Sequence, residues 1–148
     1  MTSAWQLSTD PDWLELERVH GWLATTYWSP NIRLEVVREA FTNSLFIGAY
    51  TDARETIGIA RVVTDRATFA WLCDVFVAEA YRKRGVARAM VAALLADARL
   101  TTVRRWCLST RDAHAVYRPL GFEAVPADTW LERRSPASVW QAAAVSDK

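Results

Sequence analysis

The chain has 148 residues and a formal net charge of +1, and 51% of its residues are hydrophobic and 24% charged. This balance is typical of a globular domain and excludes an intrinsically disordered chain. Bulk attraction to nucleic acid or anionic membranes is not expected at this charge. The longest apolar run, residues 89–96, is far shorter than a membrane span. We therefore expect one cytoplasmic domain covering residues 1–148 with no secretory signal.

Hydrophobic periodicity predicts elements in the order β-α-α-β-β-β-α-β-α-β. Strands are predicted at residues 5–9, 45–51, 56–64, 67–77, 103–109 and 122–125, and the last 20 residues allow one more around 130–134. Helices are predicted to begin at Asp10-Pro11 and near Leu34, and to cover 85–98 and 112–120. The order indicates a mixed α/β sheet in a single domain. Its parts are helices at about 10–43, a core at about 45–125 and a C-terminal strand or tail at about 126–148.

A basic loop, Arg82-Lys83-Arg84-Gly85-Val86-Ala87, connects a predicted strand to a predicted helix. With Arg88 it places four cations within seven residues, and no acid occurs from Ala80 to Ala96. A helix N-terminus presents free N–H groups and a positive dipole end, and Gly85 allows the backbone to approach a ligand. We expect a phosphate or pyrophosphate site here, with a solvated basic turn as the alternative. Neither a Walker P-loop nor a Gly-x-Gly-x-x-Gly pattern is present.

A strand followed by Arg82-x-x-Gly85-x-Ala87 and a helix resembles motif A of the GNAT superfamily of acyl-CoA-dependent N-acyltransferases. Further along, Ala113-x-x-x-Tyr117-x-x-x-Gly121-Phe122 is similar to a second pattern of that family. The two motifs and the element order together cover about residues 45–125. The resemblance implies a GNAT-like fold with a mostly antiparallel sheet, in which the strands before the two motifs splay apart to admit acetyl-CoA as cofactor.

The resemblance also implies which residues hold the coenzyme. The pyrophosphate would rest on the basic loop, and the pantetheine arm would pair with the backbone of the preceding strand. The implied coenzyme-binding residues are Val75, Phe76, Val77, Arg82, Lys83, Arg84, Gly85, Val86, Ala87, Arg88 and Ala113.

Two side chains are predicted to be catalytic. The resemblance implies that Tyr117 donates a proton to the leaving thiolate. Asp74 is the only charged residue from Ala67 to Ala78, and a carboxylate in an apolar strand is a candidate for the general base or for amine recognition. A structural hydrogen-bonding role for Asp74 stays open. Some relatives carry their catalytic acid where Cys73 stands here, on the opposite strand face, so a bulge or ordered water would decide the base.

Eight tryptophans exceed what a small core requires, and some could line an acceptor pocket, although a tryptophan-rich core explains them equally well. The pocket would suit an aromatic or flat substrate, or a cation held over ring faces. The predicted acceptor-binding residues are Trp22, Tyr27, Trp28, Trp71 and Cys73. Arg61 is expected to pair with Asp74 or Asp65, or to hold an acceptor carboxylate. His20 and His114 are weaker site candidates with structural roles as alternatives.

The resemblance implies an N-acetyltransferase that acts on a primary amine of a small molecule by direct attack in a ternary complex. The alternatives are a protein or peptide N-acetyltransferase and a non-catalytic acyl-CoA sensor. Nucleic-acid binding through the basic loop is disfavoured by the net charge. Two histidines and two dispersed cysteines lack the spacing of a metal site, so no metal is expected. Members of the family are often dimers, so a homodimer is one expectation.

Overall fold

Five strands and four α-helices form the regular structure of residues 5–141, the part of the chain that this computed structural model describes. The strands are β1 (Gln6–Ser8), β2 (Leu45–Tyr50), β3 (Thr56–Thr64), β4 (Phe69–Val77) and β5 (Arg105–Cys107). The helices are α1 (Leu16–Leu23), α2 (Leu34–Thr42), α3 (Val86–Leu95) and α4 (His114–Tyr117). None of the described helices is both long and apolar enough to cross a membrane.

The strands lie side by side in the order β1-β2-β3-β4-β5, and every neighbouring pair is antiparallel except β4 and β5. The parallel pair is short. It begins at Phe69↔Arg105 and ends at Trp71↔Cys107, while β4 continues to Val77. The two strands therefore splay apart after Trp71, as predicted, and the second half of β4 has a free edge on that side.

Three predicted elements differ from the structure. Residues 122–125 and 130–134 do not form strands, because β5 is only three residues long and offers little backbone to pair with. Asp10-Pro11 opens a single 3₁₀ turn, Pro11–Trp13, in which the Asp10 carboxylate accepts from the Asp12 amide at 2.9 Å. The helix α1 begins separately, at Leu16.

A β-bulge interrupts the pairing of β3 with β4 beside the splay. Ile59 pairs with Phe76 and Arg61 pairs with Cys73, so one residue of β3 opposes two of β4. Asp74 occupies the bulge with φ +53, a left-handed conformation that Asp tolerates better than most residues. In a regular strand Asp74 would point to the face opposite that of Cys73, and the bulge changes this direction.

Hydrophobic side chains on both faces of the sheet fix the helices against it. The spacing of Val86, Met90 and Leu94 in α3 places them on one face with Ala60 and Leu72. On the other face, α1 and α2 pack against Ile59 of β3 through Val19, Leu23, Val37 and Phe41. Burying each such side chain contributes roughly 1.5–3 kcal/mol. The loop between α1 and α2 is therefore held close to the splayed end of β4.

Candidate active site

Six consecutive backbone N–H groups, from Lys83 to Arg88, donate to no acceptor within residues 5–141. Lys83 (φ +63) and Gly85 (φ +78) are left-handed, which turns successive N–H groups toward one concave side. The helix α3 begins directly afterwards, at Val86. A row of free donors at a helix N-terminus, with basic side chains beside it, suits a pyrophosphate. The role predicted for this loop stays a prediction.

Arg82 contacts the end of β4. Its Nε donates to the carbonyl oxygen of Val77 at 2.9 Å, and its guanidinium lies 5.2 Å from the centre of the Phe76 ring. Arg84 lies over the ring of Tyr81 at 5.5 Å. Arg82 therefore connects the basic loop to β4, the strand predicted to bind the pantetheine arm of the coenzyme.

The gap between β4 and β5 contains two adjoining cavities. One, of about 530 Å³, opens toward the basic loop and includes Phe76, Val77 and Arg82. The other, of about 340 Å³, lies toward α1 and the C-terminal segment and includes Trp71, Cys73, Ala113 and Tyr117. We call them the donor cavity and the acceptor cavity. The residues common to both are Tyr27, Trp28, Val75 and Asp112. A molecule extending from the basic loop would meet a second molecule at these four residues.

Tyr117 lies in the wall of the acceptor cavity and is 8% exposed. It ends the short helix α4 and packs edge-on against Phe122, with ring centres 5.9 Å apart. Burial, followed by the nearby Tyr27 and Asp112, raises the pKa of its phenol to about 12. Tyr117 is therefore protonated at neutral pH and can donate a proton to a group in the cavity.

Both carboxylate oxygens of Asp74 are engaged. Oδ2 accepts from Nε of Arg61 at 2.7 Å, and Oδ1 accepts from the indole Nε1 of Trp28 at 3.1 Å. Arg61 also donates from Nη1 to the hydroxyl of Ser44 at 3.0 Å. The prediction that Arg61 pairs with Asp74 is confirmed. The bulge therefore brings Asp74 into a network that fixes one aromatic wall of the acceptor cavity.

Cys73 lies beside Asp74 and lines the acceptor cavity. Burial raises the pKa of its thiol to about 12 and outweighs the lowering by the Arg61 cation. The thiol is therefore protonated at neutral pH and is a poor nucleophile and a poor base. The position where some relatives carry an acid supplies no carboxylate in this chain.

The structure brings together three of the four predicted acceptor aromatics. Tyr27, Trp28 and Trp71 line the acceptor cavity, and the rings of Tyr27 and Trp28 meet edge-on at 5.0 Å. Trp22 lies apart from them, stacked on Phe76 at 5.2 Å within the core beneath α1. Part of the tryptophan excess therefore faces the cavity, and part is core.

The two histidines lie in different settings. His20 lies in the last turn of α1, where its Nε2 lies 2.8 Å from the carbonyl oxygen of Ile32. His114 is exposed and lines a neighbouring cavity of about 410 Å³, which it shares with Tyr117 and Trp106. No group of three or more His, Cys, Asp or Glu side chains within residues 5–141 is arranged to hold a metal ion.

Sequence reasoning missed the contribution of the C-terminal segment, residues 129–141. Trp130 stacks on Trp71 at 6.0 Å, and Arg134 and Trp140 line the acceptor cavity. The segment then joins the α1–α2 loop, where the amide of Arg33 donates to the carbonyl oxygen of Trp140 at 2.7 Å. No periodic pattern indicated this path, since the segment has no regular structure beyond one 3₁₀ turn.

Sequence reasoning also overlooked Asp112, which lines both cavities just before α4. Within the described part of the chain its carboxylate has no hydrogen bond and no ion pair. Its position one residue before Ala113 of the second motif was the available signal. A charged side chain next to that motif was therefore a site candidate even though it lies in a loop.

Comparisons with a family model and with solved structures point to the same family. The model of the acetyltransferase (GNAT) family matches residues 9–122. A Xanthomonas campestris pv. campestris protein reported as belonging to the GNAT family is 36% identical, with a TM-score of 0.85 over 93% of this chain and 97% of that one. No curated protein matches the sequence.

Two further solved structures share the fold at lower identity. A Clostridium acetobutylicum protein with acetyl-CoA is 19% identical, with a TM-score of 0.66 over 88% of this chain and 94% of that one. AAC(6′)-Iy in complex with the bisubstrate analogue CoA-S-monomethyl-acetylneamine is 20% identical, with a TM-score of 0.64 over 90% of this chain and 100% of that one. At these identities the likeness shows the shared fold alone.

Proposed function

Since this chain belongs to the GNAT family of acetyltransferases, we propose that it transfers an acetyl group from acetyl-CoA to a primary amine of a small molecule. One observation carries this proposal: the splay of β4 from β5 joins a loop of free backbone donors to an aromatic cavity that contains Tyr117. A phosphate-bearing donor and a separate acceptor can thus reach one place from opposite sides.

The donor side of this proposal uses the basic loop and β4. The amides of residues 83–88 bind the pyrophosphate, and Lys83, Arg84 and Arg88 add positive charge around it. The unpaired edge of β4 at Val75–Val77 binds the pantetheine arm as an added strand would pair. Bound acetyl-CoA supplies the acetyl group as a thioester, which an amine can attack.

Side chains of the acceptor cavity then take part in the proton transfers. Tyr117 keeps its proton at neutral pH and donates it to the leaving sulfur. The protonated thiol of Cys73 supports direct attack by the amine over an acetylated cysteine. The role of Asp74 as general base stays a prediction. Its two engaged oxygens favour the structural alternative, in which it holds Trp28 and Arg61 in place.

The C-terminal segment favours a small-molecule acceptor over a peptide. It joins the α1–α2 loop through the Arg33–Trp140 backbone bond and through Nε2 of Gln141, which donates to the carbonyl oxygen of Pro30 at 3.1 Å. These contacts close the side of the acceptor cavity that an extended peptide would need. AAC(6′)-Iy, a neighbour named as an aminoglycoside N-acetyltransferase, supports the same class.

Calorimetric titration with acetyl-CoA tests the donor site. We expect micromolar binding by the wild type and its loss in the double variant Arg84→Ala, Gly85→Asp, which places a carboxylate where the amides converge. Gly21→Ala is the matched control, because a Cβ there meets nothing within 4 Å and α1 tolerates it. Wild-type protein that fails to bind acetyl-CoA would overturn the proposal.

Thiol release with a library of amines tests the reaction itself. Turnover with small amines and none with peptides would support the proposed acceptor class, and the reverse pattern would support the peptide alternative. Binding of acetyl-CoA without turnover on any amine would support the sensor alternative. The predicted homodimer is checked separately, by light scattering of the purified protein.

A further inference from the structure

The charges that face the acceptor cavity do not cancel. Its charged side chains are Asp74, Asp112 and Arg134. Asp74 is neutralised by Arg61 at 2.7 Å, and Arg134 forms an ion pair with Glu132. Asp112 has no ion pair and no hydrogen bond within residues 5–141. The cavity therefore offers one uncompensated negative charge and no uncompensated cation.

Asp112 stands where the two substrates would meet. It is one of the four residues shared by the donor and acceptor cavities, and its charge acts on Tyr117. Asp112 is exposed, so a proton taken up by its carboxylate can pass on to water. Asp74 lacks both properties: its side chain is 10% exposed, and its oxygens already accept from Arg61 and Trp28.

The rest of the cavity wall is aromatic. Tyr27, Trp28 and Trp140 are 44%, 37% and 44% exposed, and all three line this one cavity together with Trp71. A contiguous patch of large, exposed apolar side chains commonly marks a binding surface. Ring faces bind flat apolar groups, and they also attract cations.

We propose that Asp112 binds the ammonium group of an arylalkylamine without a carboxylate and takes the proton that the amine must lose before it attacks. This inference rests on the proposed acetyl transfer and names its acceptor class and a catalytic residue for it. An amino acid is disfavoured, because its carboxylate would meet Asp112. The nearby arginines are engaged elsewhere, Arg134 with Glu132 and Arg111 over the Tyr27 ring at 3.8 Å.

The protons and bonds of the step balance. The ammonium nitrogen gives one proton to Asp112, which releases it to water. The nitrogen then bonds to the acetyl carbon, and the carbon–sulfur bond breaks. Tyr117 donates its proton to the sulfur and regains one from the nitrogen. The products are the acetamide, the free thiol of coenzyme A and one proton in solution.

The test compares four proteins: the wild type, Asp112→Asn, Asp74→Asn and the control Asp52→Asn in the exposed β2–β3 turn. Acetyl-CoA affinity is measured first, by calorimetry. Thiol release is then followed with phenethylamine, with phenylalanine, which differs from it by the carboxylate, and with butylamine, which lacks the ring.

We expect phenethylamine to exceed both other compounds at least tenfold in kcat/KM with the wild type. Asp112→Asn should lower kcat/KM for phenethylamine by roughly 100-fold with unchanged acetyl-CoA affinity. Part of that loss should be recovered near pH 9, where more of the amine is neutral in solution. A purely structural role of Asp112 would produce no such recovery. Asp52→Asn should match the wild type.

Other outcomes contradict the inference in distinct ways. Normal turnover by Asp112→Asn, with a 100-fold loss in Asp74→Asn that is recovered at high pH, would assign the base to Asp74. Equal or better turnover of phenylalanine, or none with phenethylamine, would overturn the acceptor class while acetyl-CoA binding kept the proposed function intact. Absence of acetyl-CoA binding by the wild type would overturn both.

Discussion

The indole nitrogen of Trp28 donates to the carboxylate of Asp74 at 3.1 Å across a separation of 46 residues. This bond joins the α1–α2 loop to the bulge of β4. Arg61 holds the other oxygen of the same carboxylate. One buried ion pair therefore supports the bulge and one wall of the acceptor cavity at the same time.

Arg61→Met should strongly destabilise the protein. The change leaves the carboxylate of Asp74, 10% exposed, without its cation, and loss of one partner of a buried pair costs about 3 kcal/mol. The measurement is the free energy of unfolding in urea. Arg61→Met with Asp74→Asn should be less destabilised than Arg61→Met alone, because no unpaired charge remains.

Arg18→Met is the matched control for that experiment. Arg18 binds Glu55 at a similar distance, 2.9 Å, but both side chains are well exposed, at 39% and 54%. Exposed pairs contribute roughly 0–1 kcal/mol. Equal losses of unfolding free energy in Arg18→Met and Arg61→Met would show that burial does not determine how much the Arg61–Asp74 pair contributes to stability.

Tyr117→Phe should lower kcat by about 100-fold or more and leave the acetyl-CoA dissociation constant unchanged. The phenylalanine ring still packs against Phe122, but no hydroxyl remains to protonate the leaving sulfur. Steady-state kinetics and calorimetry separate the two quantities. Wild-type kcat in Tyr117→Phe would remove this tyrosine from the mechanism.

Tyr50→Phe is the control for loss of a tyrosine hydroxyl. The Tyr50 side chain is fully buried, and its hydroxyl has no hydrogen-bond partner among residues 5–141. Removal of an unsatisfied buried polar group should not destabilise the fold and should leave kcat as it is.

Stability should fall in alkaline solution. Burial raises the pKa of Cys73 from 9.0 to about 12, and that of Tyr50 and Tyr117 from 10.0 to about 12. The folded protein then holds these protons more tightly than the unfolded chain does. Their contribution is complete below about pH 9 and is lost as the pH rises toward 12.

The melting temperature, measured from about pH 8 to pH 11, checks this expectation. Cys73→Ala should show a smaller fall than the wild type between about pH 9 and pH 10, where only the thiol contributes. Leu108→Ala removes apolar volume from the same cavity without a titratable group and should keep the wild-type slope. An unchanged slope in Cys73→Ala would contradict the assignment.

Trp140→Ala should raise the KM for the amine by about tenfold and leave acetyl-CoA affinity unchanged. The indole lines the acceptor cavity but not the donor cavity, and an aromatic contact contributes about 1 kcal/mol beyond its burial. Leu131→Ala, in the same segment and 92% exposed, is the control. A matching loss of acetyl-CoA affinity in Trp140→Ala would show that the segment acts on the whole fold.

The sequence by itself determined the features that depend on neighbouring residues. The periodicity of Val86, Met90 and Leu94 specified α3, and the basic loop before it was read from Gly85 and its flanking cations. The resemblance of Ala113-x-x-x-Tyr117 to a family motif predicted a proton donor at Tyr117. Each of these features arises from helical repeat, capping or backbone freedom within a few residues, so a short window contains the information.

The tertiary structure alone decided which side chains share the acceptor cavity. The partners of Asp74 lie 13 and 46 residues away, and they meet it only because a bulge turns its side chain. Trp22 lies in the core and Trp140 lines the cavity, although no sequence pattern around either residue distinguishes the two positions. These outcomes depend on strand register and on the path of an irregular segment. Both are set by the sum of distant packing contacts, which local sequence does not encode.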